Sequence, residues 1–338
     1  MSAPTSDAAV MHAIVAEQPG GPEVLRWTQV PRPQPGPGEV LIEVSASAVN
    51  RADLLQRQGL YPPPPGASTI IGLECSGTVA ALGPGVDSLQ MGQQVVALLA
   101  GGGYAQFVSV PAGQVMPVPT PIDLVDAASL PEVACTVWSN LVMVAGLQQG
   151  QWLLVHGGGS GIGTFAIQLA RAMGVRVAVT AGSQAKLEAC RLLGAEVLIN
   201  YREHDFVAAC AEATAGLGID VILDIMGASY LEGNVSALGR NGHVCVIGLQ
   251  GGTKAELDLG AALRKNATIH AMSLRGRSES EKADICNQVT KRIWPWVQAG
   301  LIQPVIGARL PMREAAEAHR MLAAGEVTGK ILLTIDGI

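Results

Sequence analysis

The sequence predicts an α/β protein built as a strand-rich domain and a doubly wound parallel sheet, and three observations carry that expectation. After Gly150, apolar runs alternate between strand-like and helix-like spacing; a glycine-rich turn opens the alternation; before Pro119 the runs are short and cut by Gly and Pro. Length agrees, since 338 residues at about 150 per domain give roughly two domains. With 49% apolar and 15% charged residues, there is enough material for two cores and too little charge for a disordered chain.

Residues 1–9 include Pro4, Ser6 and Asp7 with neither a basic region nor an apolar core, so they read as a loose tail rather than a signal peptide. Runs at 40–44, 77–81, 94–98 and 106–110, with a connector over 31–38, predict antiparallel strands. Over 126–147 apolar residues recur at helical spacing until Gly146 and Gly150 end the segment. Pro131, Glu132 and Asn140 interrupt it, short of the roughly 20 apolar residues of a membrane span, so no membrane partner is expected. Beyond Gly150, strands over 152–156, 175–179, 196–199, 221–224, 244–247 and 268–273 alternate with helices over 162–173, 186–193, 206–213 and 230–238. Continuous Val/Ile/Leu strands of this kind belong in a parallel sheet covered on both faces. A long helix over 282–299, another over 312–323 and a strand over 330–335 complete the chain.

The 22 Lys and Arg against 28 Asp and Glu leave a net charge of −6 with no dense basic run, which argues against a nucleic-acid surface and for a small-molecule partner. The six cysteines include no C-x-x-C pair, so neither a zinc ribbon nor a disulfide framework is expected, and a cytoplasmic setting fits. The 41 glycines beside 3 Phe and 4 Tyr point to backbone shape as the carrier of specific features.

The strongest motif is Trp152-Leu-Leu-Val-His156 running into Gly157-Gly158-Gly159-Ser160-Gly161-Ile162-Gly163 and then a helical pattern of Phe165, Leu169 and Met173. A strand that turns into a helix through glycines lets backbone N–H groups approach a pyrophosphate, and the helix start adds positive dipole. The spacing departs from strict G-x-G-x-x-G, because Ile162 stands where the last glycine would fall if counting began at Gly157. An NAD-selective site ends its second strand in Asp or Glu, whereas this chain has Thr180-Ala-Gly182-Ser183-Gln-Ala-Lys186. Ser183 and Lys186 offer charge-assisted bonds to a 2′-phosphate, and Tyr201 is placed to close over it, so NADPH is the expected cofactor.

Further motifs extend the pattern: Gly20-Gly-Pro-Glu23, Asn50-Arg-Ala-Asp53-Leu-Leu-Gln-Arg-Gln-Gly59, Tyr61-Pro-Pro-Pro-Pro-Gly66, Gly72-Leu-Glu74-Cys-Ser-Gly77, Leu99-Ala-Gly-Gly-Gly103, Pro131-Glu132, Asn200-Tyr201 and Gly329-Lys330. With these the chain resembles zinc-independent quinone oxidoreductases of the medium-chain dehydrogenase/reductase superfamily, most closely the branch holding the tumour-suppressor-inducible NADPH quinone oxidoreductase of animals. The resemblance implies a tail over 1–9, a GroES-like catalytic domain over 10–130, a Rossmann NADPH-binding domain over 131–272 and a return to the catalytic domain over 273–338. It implies a cleft between the domains for nicotinamide and substrate, and a homodimer, with a tetramer as the alternative. Zinc relatives place Cys where this chain has Asn50 and His where it has Leu73, and the cysteines of their structural zinc loop are absent, so no metal is expected.

By the same resemblance Asn50, Asp53 and Tyr61 line the substrate side, with Tyr61 as the hydrogen-bond donor. Asn50 and Asp53 can equally serve as the cap and first turn of a helix. Thr136, Gly248, Leu249, Ser273, Leu274 and Arg275 are expected near the nicotinamide. Gly158, Gly159, Ser160, Gly161, Ile162 and Gly163 would hold the pyrophosphate, Gly182 would leave the 2′-phosphate pocket open, and Lys330 would reach the cofactor. His156, Cys135, Trp294 and Trp296 read as core residues. The expected reaction is NADPH-dependent reduction of a quinone. Reduction of the C=C bond of an enone is one alternative, and a non-catalytic NADPH-binding protein is another.

Overall fold

The computed structural model describes residues 9–335; apart from Ala9, the expected N-terminal tail lies outside the described residues, as do 336–338. Two compact units emerge. The first holds the chain up to Glu132, Arg275–Lys291 and the chain from Ile306 on; the second holds Val133–Leu274 and Arg292–Val305. Residues 292–305, assigned from sequence to the C-terminal return, therefore belong with the nucleotide unit. There Gln168 Nε2 donates to the Gln303 carbonyl at 3.0 Å, and the Gln303 N–H donates back to Gln168 Oε1 at 2.9 Å.

In the first unit a seven-stranded sheet runs in the order Ile306–Pro311, Lys330–Thr334, Glu39–Ala48, Glu74–Leu82, Gln94–Leu98, Val115–Pro117, with Phe107–Pro111 also paired to Glu39–Ala48. Val10–Ala16 and Leu25–Pro31 form a separate hairpin. The four expected strands are present, Glu39–Ala48 and Glu74–Leu82 being longer than expected. The hairpin and Ile306–Pro311 were not singled out; in Leu25–Pro31 and Ile306–Pro311 the apolar residues are diluted by Arg, Gln and Gly, while Val10–Ala16 carries no such dilution. Lys330–Thr334 lies antiparallel to Glu39–Ala48, with Leu332 opposite Ala48, and this pairing carries the end of the chain to its beginning.

The second unit is a six-stranded parallel sheet in the order Val197–Asn200, Arg176–Ala181, Trp152–His156, Ile219–Asp224, Leu238–Val246, Thr268–Ala271. This is the doubly wound order, with the reversal beside Trp152–His156. Leu153, Leu154, Val155, Val179, Ile222 and Leu223 are fully buried, as continuous apolar strands covered on both faces must be. The single helix expected over 282–299 is two, Glu279–Arg292 and Trp294–Gln298, because Pro295 cannot continue a helix interior but suits a first turn. The apolar segment after Asp123 is long and apolar enough to pass as a membrane span over Leu124–Val144, contrary to the sequence reading, yet most of it is buried in the fold as core.

Candidate functional site

The turn after Trp152–His156 is built from backbone. Gly157 has φ +72°, and a Cβ on Gly163 would strike the carbonyls of Gly157 and Gly158, so only glycine lets the helix Gly161–Ala172 start this close to the strand. Ser160 caps that helix by accepting the Gly163 N–H at 3.0 Å, which leaves the first amides, those of Gly161 and Ile162, directed out of its start. A Cβ on Gly158 would meet Val179 and Cys190 at 2.9 Å. These residues fit a pyrophosphate.

Beside the turn, the aliphatic stem of Lys186 lies 3.1 Å from where a Gly159 Cβ would stand, and the Tyr201 hydroxyl lies where a Gly182 Cβ would stand. Ser183 caps the helix Gln184–Leu193 that presents Lys186. The structure thus gathers Gly159, Gly182, Ser183, Lys186 and Tyr201, and this neighbourhood of an ammonium and two hydroxyls fits a 2′-phosphate. Underneath, His156 is buried with Nδ1 3.1 Å from Thr180 Oγ1 and Nε2 2.8 Å from Asn234 Oδ1. Asn234 Nδ2 donates to Asp224 at 3.0 Å, and Asp224 accepts the Met226 N–H at 2.6 Å. Burial pushes the His156 imidazole down to about 4, so it stands neutral as a structural core group. Thr180 also accepts the Gly157 N–H at 3.3 Å, which ties this chain of bonds to the turn.

Five further expected cofactor residues are spread over the second unit. Thr136 is buried on the helix Pro131–Val137, Ser273 and Leu274 follow Thr268–Ala271, and Leu249 is exposed. Gly248 lies against the Ile225 backbone, where a Cβ would meet the carbonyl at 2.8 Å.

In the first unit, strand pairing brings together residues assigned from sequence to different tasks. Lys330 Nζ donates to Asn50 Oδ1 at 2.6 Å and to Glu74 Oε1 at 2.7 Å. Asn50 Nδ2 donates to Glu74 Oε1 at 2.8 Å and to the Ala48 carbonyl at 3.2 Å, while the Glu132 N–H donates to Glu74 Oε2 at 2.9 Å. The amide cannot be turned over, since its NH2 would then face the Lys330 ammonium and its oxygen the Glu74 carboxylate. Both N–H donors of Asn50 are therefore taken, and its expected alternative part as the cap of the helix Arg51–Arg57 is the one the structure gives it. Lys330 likewise is held as the buried ion-pair partner of Glu74 rather than extended toward a cofactor. Glu74, the hub of the cluster, was missed as a functional residue; only its place in Gly72-Leu-Glu74 marked it.

Asp53 is also corrected: it is fully buried and faces inward, not toward a substrate. Its Oδ2 accepts the Asn50 backbone N–H at 2.7 Å and the Tyr104 hydroxyl at 3.0 Å, and its Oδ1 has no hydrogen-bond partner. Tyr104 continues to His319 Nε2 at 3.3 Å, and His319 Nδ1 to Arg57 at 3.3 Å. Burial drives the Asp53 carboxyl up to about 7 and the His319 imidazole down to about 3. The network fixes the start of the helix Arg51–Arg57, and with it Asn50.

Tyr61, half-buried, opens the proline loop after that helix. The Arg275 guanidinium is engaged within the first unit: Nε donates to the Ala100 carbonyl at 2.8 Å, one terminal nitrogen to the Tyr61 carbonyl at 3.2 Å and the other to Gln56 Oε1 at 2.8 Å. The donor set around Glu74, an amide, an ammonium and the buried apolar Leu73, does not fit a catalytic zinc, and no cluster of three His, Cys, Asp or Glu occurs among the described residues.

Comparison with known proteins adds the lineage. The alcohol dehydrogenase GroES-like domain family matches residues 36–120 and the zinc-binding dehydrogenase family residues 161–288. The chain is 30% identical over 340 residues to the 2-haloacrylate reductase of a Burkholderia species, a match that covers 96% of this chain and 98% of that one. It is 29% identical over 329 residues to the quinone oxidoreductase of Rattus norvegicus, with the same shares. A mycobacterial protein solved in complex with NADPH superimposes with a TM-score of 0.88 at 31% identity, over 96% of this chain and 100% of that one. The chain is also 32% identical over 320 residues to a phenolphthiocerol/phthiocerol polyketide synthase of Mycobacterium tuberculosis, and spans only 14% of that relative's length.

Proposed function

The chain belongs to the medium-chain dehydrogenase/reductase superfamily of oxidoreductases, and from that premise we propose that it reduces quinones with NADPH, without zinc, in the manner of the tumour-suppressor-inducible branch. The observation that carries the reading is the cradle of Gly157–Gly163 flanked by Lys186 and by Tyr201 over Gly182, with no carboxylate ending the second strand. When bound, NADPH supplies a hydride from C4 of its nicotinamide. Gly158, Gly159, Ser160, Gly161, Ile162 and Gly163 bind the pyrophosphate, while Ser183, Lys186 and Tyr201 bind the 2′-phosphate. Thr136, Gly248, Leu249, Ser273 and Leu274 contact the nicotinamide half.

Reduction of a quinone leaves negative charge on oxygen that needs a donor and a proton. With both Asn50 donors engaged, the Tyr61 hydroxyl takes that part. Asn50 and Lys330 instead hold and neutralise the buried Glu74 carboxylate. A cytoplasmic homodimer fits, joined through Thr268–Ala271, one of the two edge strands of its sheet.

A second reading, reduction of the C=C bond of α,β-unsaturated carbonyls, is favoured by the full-length 2-haloacrylate reductase relative. Steady-state NADPH oxidation with para-quinones, ortho-quinones and enones in parallel separates the two. Saturable turnover of quinones is expected; turnover of enones alone transfers the assignment to the second reading, and NADPH binding without turnover of any acceptor makes the chain a binding protein.

A further inference from the structure

We propose that Arg275 is a positioning residue for Tyr61, holding the loop that presents this hydroxyl. The proposal rests on the reading of Tyr61 as the donor. Arg275 is buried, and its hydrogen-bond partners, the carbonyls of Ala100 and Tyr61 and the side chain of Gln56, are neutral oxygens. A buried cation whose hydrogen-bond acceptors are neutral is costly, and burial lowers the Arg275 pKa, opposed in part by Tyr61 and the Asp53 carboxyl. An apolar side chain would pack without that cost; what the guanidinium adds is geometry, a planar fork that reaches three segments at once.

Those segments converge on one loop. Gln56, on the helix that begins after Asn50, passes the constraint on by donating to the Thr69 carbonyl at 2.9 Å, beyond the four prolines. The guanidinium carbon also stands 5.2 Å from the centre of the Tyr61 ring, within cation–π range. The loop is thus pinned at its entry by the Tyr61 carbonyl and ring, and at its exit through Gln56. Pro62–Pro65 stiffen what lies between but donate no backbone N–H bonds of their own, so Arg275 adds a side-chain anchor at the entry, while the exit is also held by the Gly102 N–H on the Ile70 carbonyl at 2.7 Å.

A double-mutant cycle on the intact protein with NADPH and a para-quinone tests this, with Arg275→Met, Tyr61→Phe and the pair. Arg275→Met alone is expected to lower kcat/KM for the quinone about tenfold or more, to leave the Kd for NADPH within about twofold, and to add little in the Tyr61→Phe background. Hydrogen exchange at residues 60–70 is expected to quicken. Equal losses in both backgrounds, a weakened Kd for NADPH with unchanged quinone kinetics, or unchanged exchange overturns the proposal. If Tyr61→Phe matches the wild type, the reading of Tyr61 as donor fails, while the exchange measurement still decides whether Arg275 holds the loop. Should Arg275→Met not fold, Gln56→Leu removes one of the three bonds and runs the same cycle, with the same pattern expected and the same results contradicting it.

Discussion

The two units build their candidate sites by opposite means. The nucleotide unit makes its cradle from backbone within one short stretch, residues 156–201, where glycines let a helix start, a strand end and a lysine stem approach each other. The first unit makes its cluster from side chains drawn from Asn50, Glu74 and Lys330, which only sheet pairing brings together. The difference teaches where each site is vulnerable: the first unit through charge, the second through volume.

The largest effect is expected from Lys330→Met. It strands the Glu74 carboxylate in a buried setting, and breaking a buried pair costs about 3–5 kcal/mol. Denaturant unfolding should show that loss, and adding Glu74→Gln should restore much of it; a loss below about 1 kcal/mol would mean that water reaches the pair.

The next prediction contrasts the pH responses of the two units. Asp53 is raised to about 7 when folded, so its contribution is complete at low pH and declines as pH rises from about 4 through 7, by up to about 4 kcal/mol. His156 is lowered to about 4, so stability is present above its ordinary value of 6.5 and falls by about 3 kcal/mol as pH drops from 6.5 to 4. Asp53→Asn should flatten the upper limb of a stability-against-pH curve and His156→Gln the part of the lower limb above about pH 4, the part below belonging to His319; either variant moving the other limb contradicts the assignment.

Volume is tested by Gly163→Val, whose side chain would collide with the carbonyls of Gly157 and Gly158. NADPH affinity should fall at least about 100-fold, near 2.7 kcal/mol, in titrations of protein that retains its circular dichroism. The smallest effect is expected from Lys186→Ala. Loss of one charge-assisted bond should weaken NADPH about tenfold and leave NADH nearly unchanged, and equal changes for both would refute the 2′-phosphate role.

These contrasts also explain what was legible in the sequence. The parallel sheet, the glycine turn and the residues around the 2′-phosphate were readable because strand, turn and helix signals are local, and Gly182, Ser183 and Lys186 fall within one connection. The first unit resisted reading: nothing near Lys330 announces Glu74, and Arg275 follows a strand of the nucleotide unit yet bonds to Gln56 and Tyr61. Asp53 shows the same limit. Its position in Asn50-Arg-Ala-Asp53 signals a helix start, but its burial against Tyr104 and His319 is a property of the packed fold.

The central claim, NADPH-dependent hydride transfer to a conjugated acceptor, is tested most directly in a single turnover. Protein loaded with NADPH, or with NADPH deuterated at C4, is mixed with a para-quinone while the reduced-nicotinamide absorbance is followed. The account predicts that the absorbance decays only when quinone is added, more slowly with deuterium, and more slowly again in Tyr61→Phe. Bound NADPH whose absorbance stays unchanged in the presence of quinones and enones alike would contradict it.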